Sequence, residues 1–132
     1  MRQMTKRRLH SLSGFTLIEL LVVLAIVALL LTLAAPRYFG SIETSKEVVL
    51  RENLRTVRAT LEQFHADTGR YPQSLDELVE RKYLRALPID PFTESSATWR
   101  IVAPEGAVQG AVFDLKSGAA GVARDGKPLS EL

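Results

Sequence analysis

Glu19 is the only charge in a 21-residue stretch from Phe15 to Ala35, in which every other residue is apolar or a threonine. A carboxylate inside an apolar span costs about 2.5 kcal/mol or more on insertion scales, so a lone acid there asks for a cationic partner. A cut between Gly14 and Phe15 creates one, because it leaves a new ammonium four residues before Glu19. The chemistry open to these residues is therefore proteolytic processing followed by charge pairing. Elsewhere the titratable side chains are sparse. His10 and His65 are the two histidines, and the second stands near Asp67. There is no cysteine, and no serine sits in a nucleophile motif. A phosphate-binding glycine loop, a dinucleotide fingerprint and zinc-ligand spacing are also missing from the sequence. Nothing in the residues supports an enzyme.

The element that positions Glu19 is a helix long enough to cross a membrane. At 1.5 Å rise per residue the stretch spans roughly 31 Å, against a bilayer core of about 30 Å. Arg2, Lys6, Arg7 and Arg8 precede it with no acid among them, and only Arg37 follows at once. That asymmetry places the N-terminus in the cytoplasm and the rest of the chain across the membrane. An ordinary signal peptide would share the basic start and has small residues at Ala34-Ala35 for cleavage. Its apolar region, however, runs about 7–15 residues and carries no acid near its start. A plain single-pass anchor explains the length and leaves Glu19 without a purpose. Removing residues 1–14 takes four of the 17 basic residues and none of the 15 acids, changing the formal net charge from +2 to −2. The basic balance thus belongs to the leader and is no evidence for nucleic-acid binding.

The string from Gly14 through Phe15, Thr16, Leu17, Ile18 and Glu19 to Val23 resembles the class III signal of type IV pilins and type II secretion pseudopilins. Further on, Asp67-Thr68-Gly69-Arg70-Tyr71-Pro72 and the stretch from Tyr83 to Phe92 are similar to the major pseudopilins of the general secretion pathway. The resemblance implies a prepilin peptidase that cuts after Gly14 and methylates Phe15, with Glu19 as the assembly residue. It implies a helix-kinking proline at Pro36. It also implies a structural subunit of a pseudopilus: a homo-oligomeric helical filament built from the inner membrane by an assembly platform, with minor pseudopilins and a separate ATPase. A type IV pilin or minor pilin subunit is the nearest alternative, and a monomeric membrane-tethered periplasmic binding module is the alternative from another class.

The expected fold is α+β and pilin-like: a long N-terminal helix packed against a small antiparallel sheet. Residues 1–14 form the leader, 15–35 the transmembrane half of the helix, 36–66 its amphipathic half, and 67–132 a small globular domain. Leu50, Leu54, Val57, Leu61 and Phe64 are spaced four, three, four and three, which puts them on one helical face. Pro36 disfavours helical geometry at Ala35, so a kink is expected there. Gly69 and Pro72 stop the helix. Ser74-Leu75-Asp76-Glu77 reads as a capping box opening a short helix to about Lys82. Thr98–Ala103 and Val108–Leu115 are expected strands, joined by a turn at Pro104-Glu105-Gly106. Tyr71, Tyr83, Phe92, Trp99 and Phe113 read as core and loop-pinning aromatics. Asp90, set between prolines, has no role that the sequence settles.

One cofactor follows from the resemblance alone, since major pseudopilins bind calcium in a C-terminal loop. Calcium takes six to eight oxygens, commonly from several carboxylates. This chain offers only Asp114 and Asp125, eleven residues apart, with Lys116, Arg124 and Lys127 opposing them. These two are weak candidates, so no metal site and no cofactor is expected, and Asp125-Gly126 reads as a tight turn.

Overall fold

A computed structural model describes residues 13–132. Most of the expected leader, with Arg2, Lys6, Arg7, Arg8 and His10, lies outside the described residues. Two helices come first, α1 (Leu17–Thr68) and α2 (Leu75–Glu80). Strands β1 (Arg100–Val102) and β2 (Asp114–Lys116) and a 3-10 turn at Leu129–Glu131 follow. The class is α+β, with one long N-terminal helix and a two-stranded antiparallel sheet. The chain divides into one unit ending at Phe39 and another beginning at Gly40.

In the first unit α1 is apolar on every side from Leu20 to Ala35, and Leu17, Leu24, Leu30 and Leu33 are all more than half exposed. A helix of that kind is made for lipid or for a protein interior, not for water. Thr32 turns its hydroxyl onto the carbonyl of Ala28 at 2.8 Å, which satisfies it without water. Pro36 lies inside α1, which runs on to Thr68.

The second unit is built on the stripe that the spacing marks out. Leu50, Leu54, Val57, Leu61 and Phe64 are each at most 1% exposed. Leu78 from α2, Trp99, Val112, Leu115 and Leu129 close over them. Burying each such side chain is worth about 1.5–3 kcal/mol, and no disulfide shares the load. Asn53 adds a polar tie, its amide donating to the Ile89 carbonyl at 3.0 Å.

Both ends of α2 are set by local chemistry. Gly69, at φ 75°, ends α1 as expected, its N–H bonding the His65 carbonyl at 2.8 Å. Ser74 caps α2 by accepting the Glu77 N–H. Glu77 reaches back one residue further than in a standard capping box, taking the Gln73 N–H at 2.7 Å. It also accepts two bonds from Arg70, at 2.5 and 3.2 Å. α2 stops at Glu80, short of the expected Lys82. Lys82 adopts φ 66°, its N–H bonds Val79, and the Tyr83 N–H bonds Leu78. That is a Schellman motif with lysine where glycine is usual.

The expected hairpin is corrected by the structure. Its strands are three residues each, paired as Arg100 with Lys116, Ile101 with Leu115 and Val102 with Asp114. The second strand therefore begins at Asp114, not Val108, and no tight turn at Pro104–Gly106 joins the two. The cause is competition for backbone partners. Gln109 accepts the Tyr71 N–H, while Ala111 and Val112 both donate to Pro72. Residues 109–112 are thus drawn to the segment after α1. Gly110 permits this: its φ is 118°, and a Cβ there would lie 2.3 Å from the Tyr71 carbonyl oxygen.

Asp90 proves to be the knot between two loops. It is fully buried. One carboxylate oxygen accepts the Phe92 and Thr93 N–H groups and the other accepts the Ser117 hydroxyl. Ser117 Oγ in turn accepts the Ala119 N–H at 3.0 Å. Trp99 pins the same loop through its indole N–H on the Pro88 carbonyl at 2.8 Å. Tyr71 is buried as expected and meets Phe113 edge-on at 5.3 Å, although Phe113 is 44% exposed.

Two stability predictions follow from these bonds. Asp90→Ala orphans buried donors at about 1–3 kcal/mol each and should lower Tm by roughly 10 °C in the detergent-solubilised chain. An unchanged melt would remove its structural role. For Glu77, the Arg70 hydrogen bonds above all, helped by the Gln73 N–H and the charges of Arg70 and Arg81, hold the carboxyl down to about 2 from 4.5. The folded group releases its proton more readily than the unfolded one. Its contribution is therefore complete above pH 4.5 and is lost as pH falls toward about 2. Acid melts of the native chain and of Glu77→Gln should converge in that window, with the variant showing the flatter profile.

Candidate functional site

The start of α1 carries the residues whose chemistry the sequence singles out. Residues 13–16 have no regular structure, and the helix opens at Leu17. Thr16 and Glu19 close a reciprocal capping box. The Thr16 N–H donates to Glu19 Oε2 at 3.0 Å, and the Glu19 N–H donates to Thr16 Oγ1 at 3.2 Å. The acid in the apolar span thus has a local task, because two backbone donors at a helix start would otherwise lack intrahelical acceptors. Its negative charge also sits at the positive end of the helix dipole. Glu19 Oε1 takes no part in the box. A threonine, two residues and a glutamate directly before an apolar run is a sequence signal for this arrangement; it singles out Thr16, whose part in the site sequence reasoning had missed.

Phe15 is 92% exposed, just outside the helix. A Cβ added at Gly14 would meet nothing within 4 Å. Among the described residues, nothing crowds a side chain at that position. The described helix from Leu17 is long and apolar enough to cross a membrane, and none of its most apolar window is buried.

The remaining candidates are held apart. His65 stacks on Tyr71 with ring centroids 4.4 Å apart. Asp67 accepts from Gln63 at 2.9 Å and from the Tyr83 hydroxyl at 2.8 Å, so the structure gives the two residues separate partners. That hydrogen bond from Tyr83 is the first cause of a phenol pKa above its ordinary value.

Asp114 and Asp125 are likewise committed elsewhere. Asp114 Oδ1 accepts from Arg58 Nε at 2.7 Å, and Asp125 Oδ2 accepts from Arg51 Nη2 at 3.1 Å. Asp125 Oδ1 takes the Lys127 N–H at 3.1 Å, in a turn closed by Gly126 N–H on the Ala123 carbonyl at 3.0 Å. The Lys127 bond leads the causes that lower the Asp125 carboxyl pKa, and Arg51 adds to it. Among the described residues no three acidic, histidine or cysteine side chains gather to hold a metal ion. Each of the two carboxylates is thus already engaged by an arginine. Arg51 and Arg58 were not singled out by the sequence as holders of this region. Their partners lie 74 and 56 residues away, beyond the reach of any local pattern.

Comparison with known proteins agrees with this geometry. Residues 11–35 match the prokaryotic N-terminal methylation motif. The chain is 31% identical to type II secretion system core protein G of Pseudomonas aeruginosa, over 61% of this chain and 68% of the relative. The protein of the same name from Aeromonas hydrophila is 31% identical, over 67% of this chain and 71% of the relative. Competence protein ComGC of Halalkalibacterium halodurans is 28% identical, over 60% of this chain and 78% of the relative. No solved structure matches. With its capped apolar helix, its methylation motif and relatives that it matches over more than two thirds of their length, the chain belongs to the family of type II secretion system core protein G.

Proposed function

We propose that this chain is a structural subunit of the pseudopilus of a type II secretion system, anchored in the inner membrane and then polymerised from it. The observation that carries the reading is the start of α1. An exposed Gly14-Phe15 link precedes a capped helix whose apolar span holds a single acid. The family supplies the rest of the setting. A prepilin peptidase cuts after Gly14 at the cytoplasmic face and methylates Phe15. An assembly platform, working with minor pseudopilins and a separate ATPase, lifts each subunit so that its helix leaves lipid for the filament core.

Each residue then has a physical part. Gly14 leaves the peptidase room at the bond it cuts. Phe15 provides the new ammonium. Glu19 lies four residues from that terminus, in the first turn of α1, so before assembly it sits near the membrane edge, within reach of water or headgroups. In a filament core that escape is lost, and an unpaired charge there carries a penalty of several kcal/mol. The Phe15 ammonium of a neighbouring subunit is its partner, and their meeting sets the axial register. Pro36 lacks the N–H that would bond the Thr32 carbonyl, which makes it the place where the helix bends when subunits pack.

Mass spectrometry of the mature protein tests the first step. The chain should begin at a methylated Phe15, and replacing Gly14 by a bulky residue should block processing while leaving membrane insertion intact. A mature protein beginning near Pro36 would establish a conventional signal peptide instead. The assembly step is tested by two substitutions that the capping box makes informative. Glu19→Gln keeps an acceptor for the Thr16 N–H and loses the charge, whereas Glu19→Leu loses both. Both should insert and be processed, and both should lower filament yield by about tenfold or more. Full assembly by Glu19→Gln alongside failure of Glu19→Leu would assign the residue to helix capping and not to pairing between subunits.

A further inference from the structure

Beyond β2, residues 117–132 contain no regular element longer than the three-residue turn at Leu129–Glu131. They place Ala119, Ala123 and Leu129 in the core with Leu132 packed against it, and Ser117 is tied to Asp90, which is little apolar area for sixteen residues. Polar links to one strip of α1 do much of the holding. Glu47, Arg51 and Arg58 stand four and then seven residues apart, so they share a side of the helix.

Arg58 grips both ends of the C-terminal region. Its Nε donates to Asp114 Oδ1 at 2.7 Å, and its Nη2 donates to the carbonyls of Leu115 at 3.1 Å and Leu132 at 2.8 Å. Arg51 grips the middle through Asp125 at 3.1 Å. Glu47 steadies Arg51 at 3.0 Å and accepts the Arg124 N–H at 3.0 Å with its other oxygen. Hydrogen bonds from Ala123 to Lys127 and from Leu129 to Gly121 complete the loop.

A divalent cation orders a loop by gathering several oxygens around one positive charge. Here two guanidinium groups bring the positive charge from α1, and each offers five donors in a fixed fork. We propose that Arg51 and Arg58, together with Glu47, order residues 114–132 in place of a bound cation. The order of this segment then depends on ionic strength and not on calcium. Screening reaches these groups because the side chains of Arg51 and Asp125 are 45% and 50% exposed, and the Debye length falls from about 10 Å at 0.1 M salt to about 3 Å at 1 M. The inference concerns the folded subunit and stands whether or not that subunit assembles.

Amide hydrogen exchange on the full chain in detergent tests it, read across residues 117–132, with residues 50–64 of α1 as the internal reference. At low salt, exchange with chelator and with millimolar calcium should coincide. Molar sodium chloride, or Arg51→Gln at low salt, should speed exchange in the segment about fivefold and leave the reference unchanged. Arg51→Lys, which keeps the charge and loses the fork, should fall between. Because the Arg51 side chain is well exposed, its replacement leaves the core in place. Slower exchange on adding calcium to the unsubstituted chain would overturn the proposal, as would an Arg51→Gln protein that exchanges like the original.

Discussion

The second unit of this molecule depends on one apolar stripe. Its strands are three residues long, its second helix has six residues, and it has no disulfide. None of those pieces has enough area to stand alone in water. Leu50, Leu54, Val57, Leu61 and Phe64 give them a common surface, and the nearly complete burial of all five shows how fully it is used. The loops are then fixed by polar groups at the edges of that surface: Asn53 on Ile89, Arg58 on Asp114, and Arg51 on Asp125.

Glu19 is placed so that capping does not exhaust its oxygens. In the single chain it closes the first turn of α1 with Thr16. The box uses Oε2 and leaves Oε1 out, so a second donor does not require the first bond to break. A carboxylate is suited to this double duty because it accepts at two oxygens, each with more than one lone pair. An amide would cap equally well and bring no charge.

What the sequence made legible was local. The four-three-four-three spacing found the buried face because helical periodicity is written in neighbouring residues. Gly69 and Ser74 marked their helix boundaries for the same reason. The misreadings arose where a distant segment competed. Val108 to Phe113 has strand-like composition, yet the backbone of Tyr71 and Pro72 draws residues 109–112 away from β1. Asp90 looked like a loop residue of no settled role because its partner Ser117 lies 27 positions on. At the functional end, the apolar span, Gly14 and Glu19 were plain in the sequence. The capping partner Thr16 is equally plain in type and spacing, three residues before Glu19.

The all-round apolarity of α1 from Leu20 to Ala35 has a mechanical meaning. Its one internal hydroxyl, on Thr32, is folded back on the helix's own backbone and offers nothing outward. Such a rod carries no outward polar mark that distinguishes one side from another or one depth from the next. Sliding or turning in apolar surroundings therefore breaks no hydrogen bond or ion pair of the span, and only the ridges and grooves of its side chains resist it. At its start Thr16 and Glu19 form a polar tip, closed by their capping box. A span of this kind has the surface of a bearing, smooth in polarity and capped at one end.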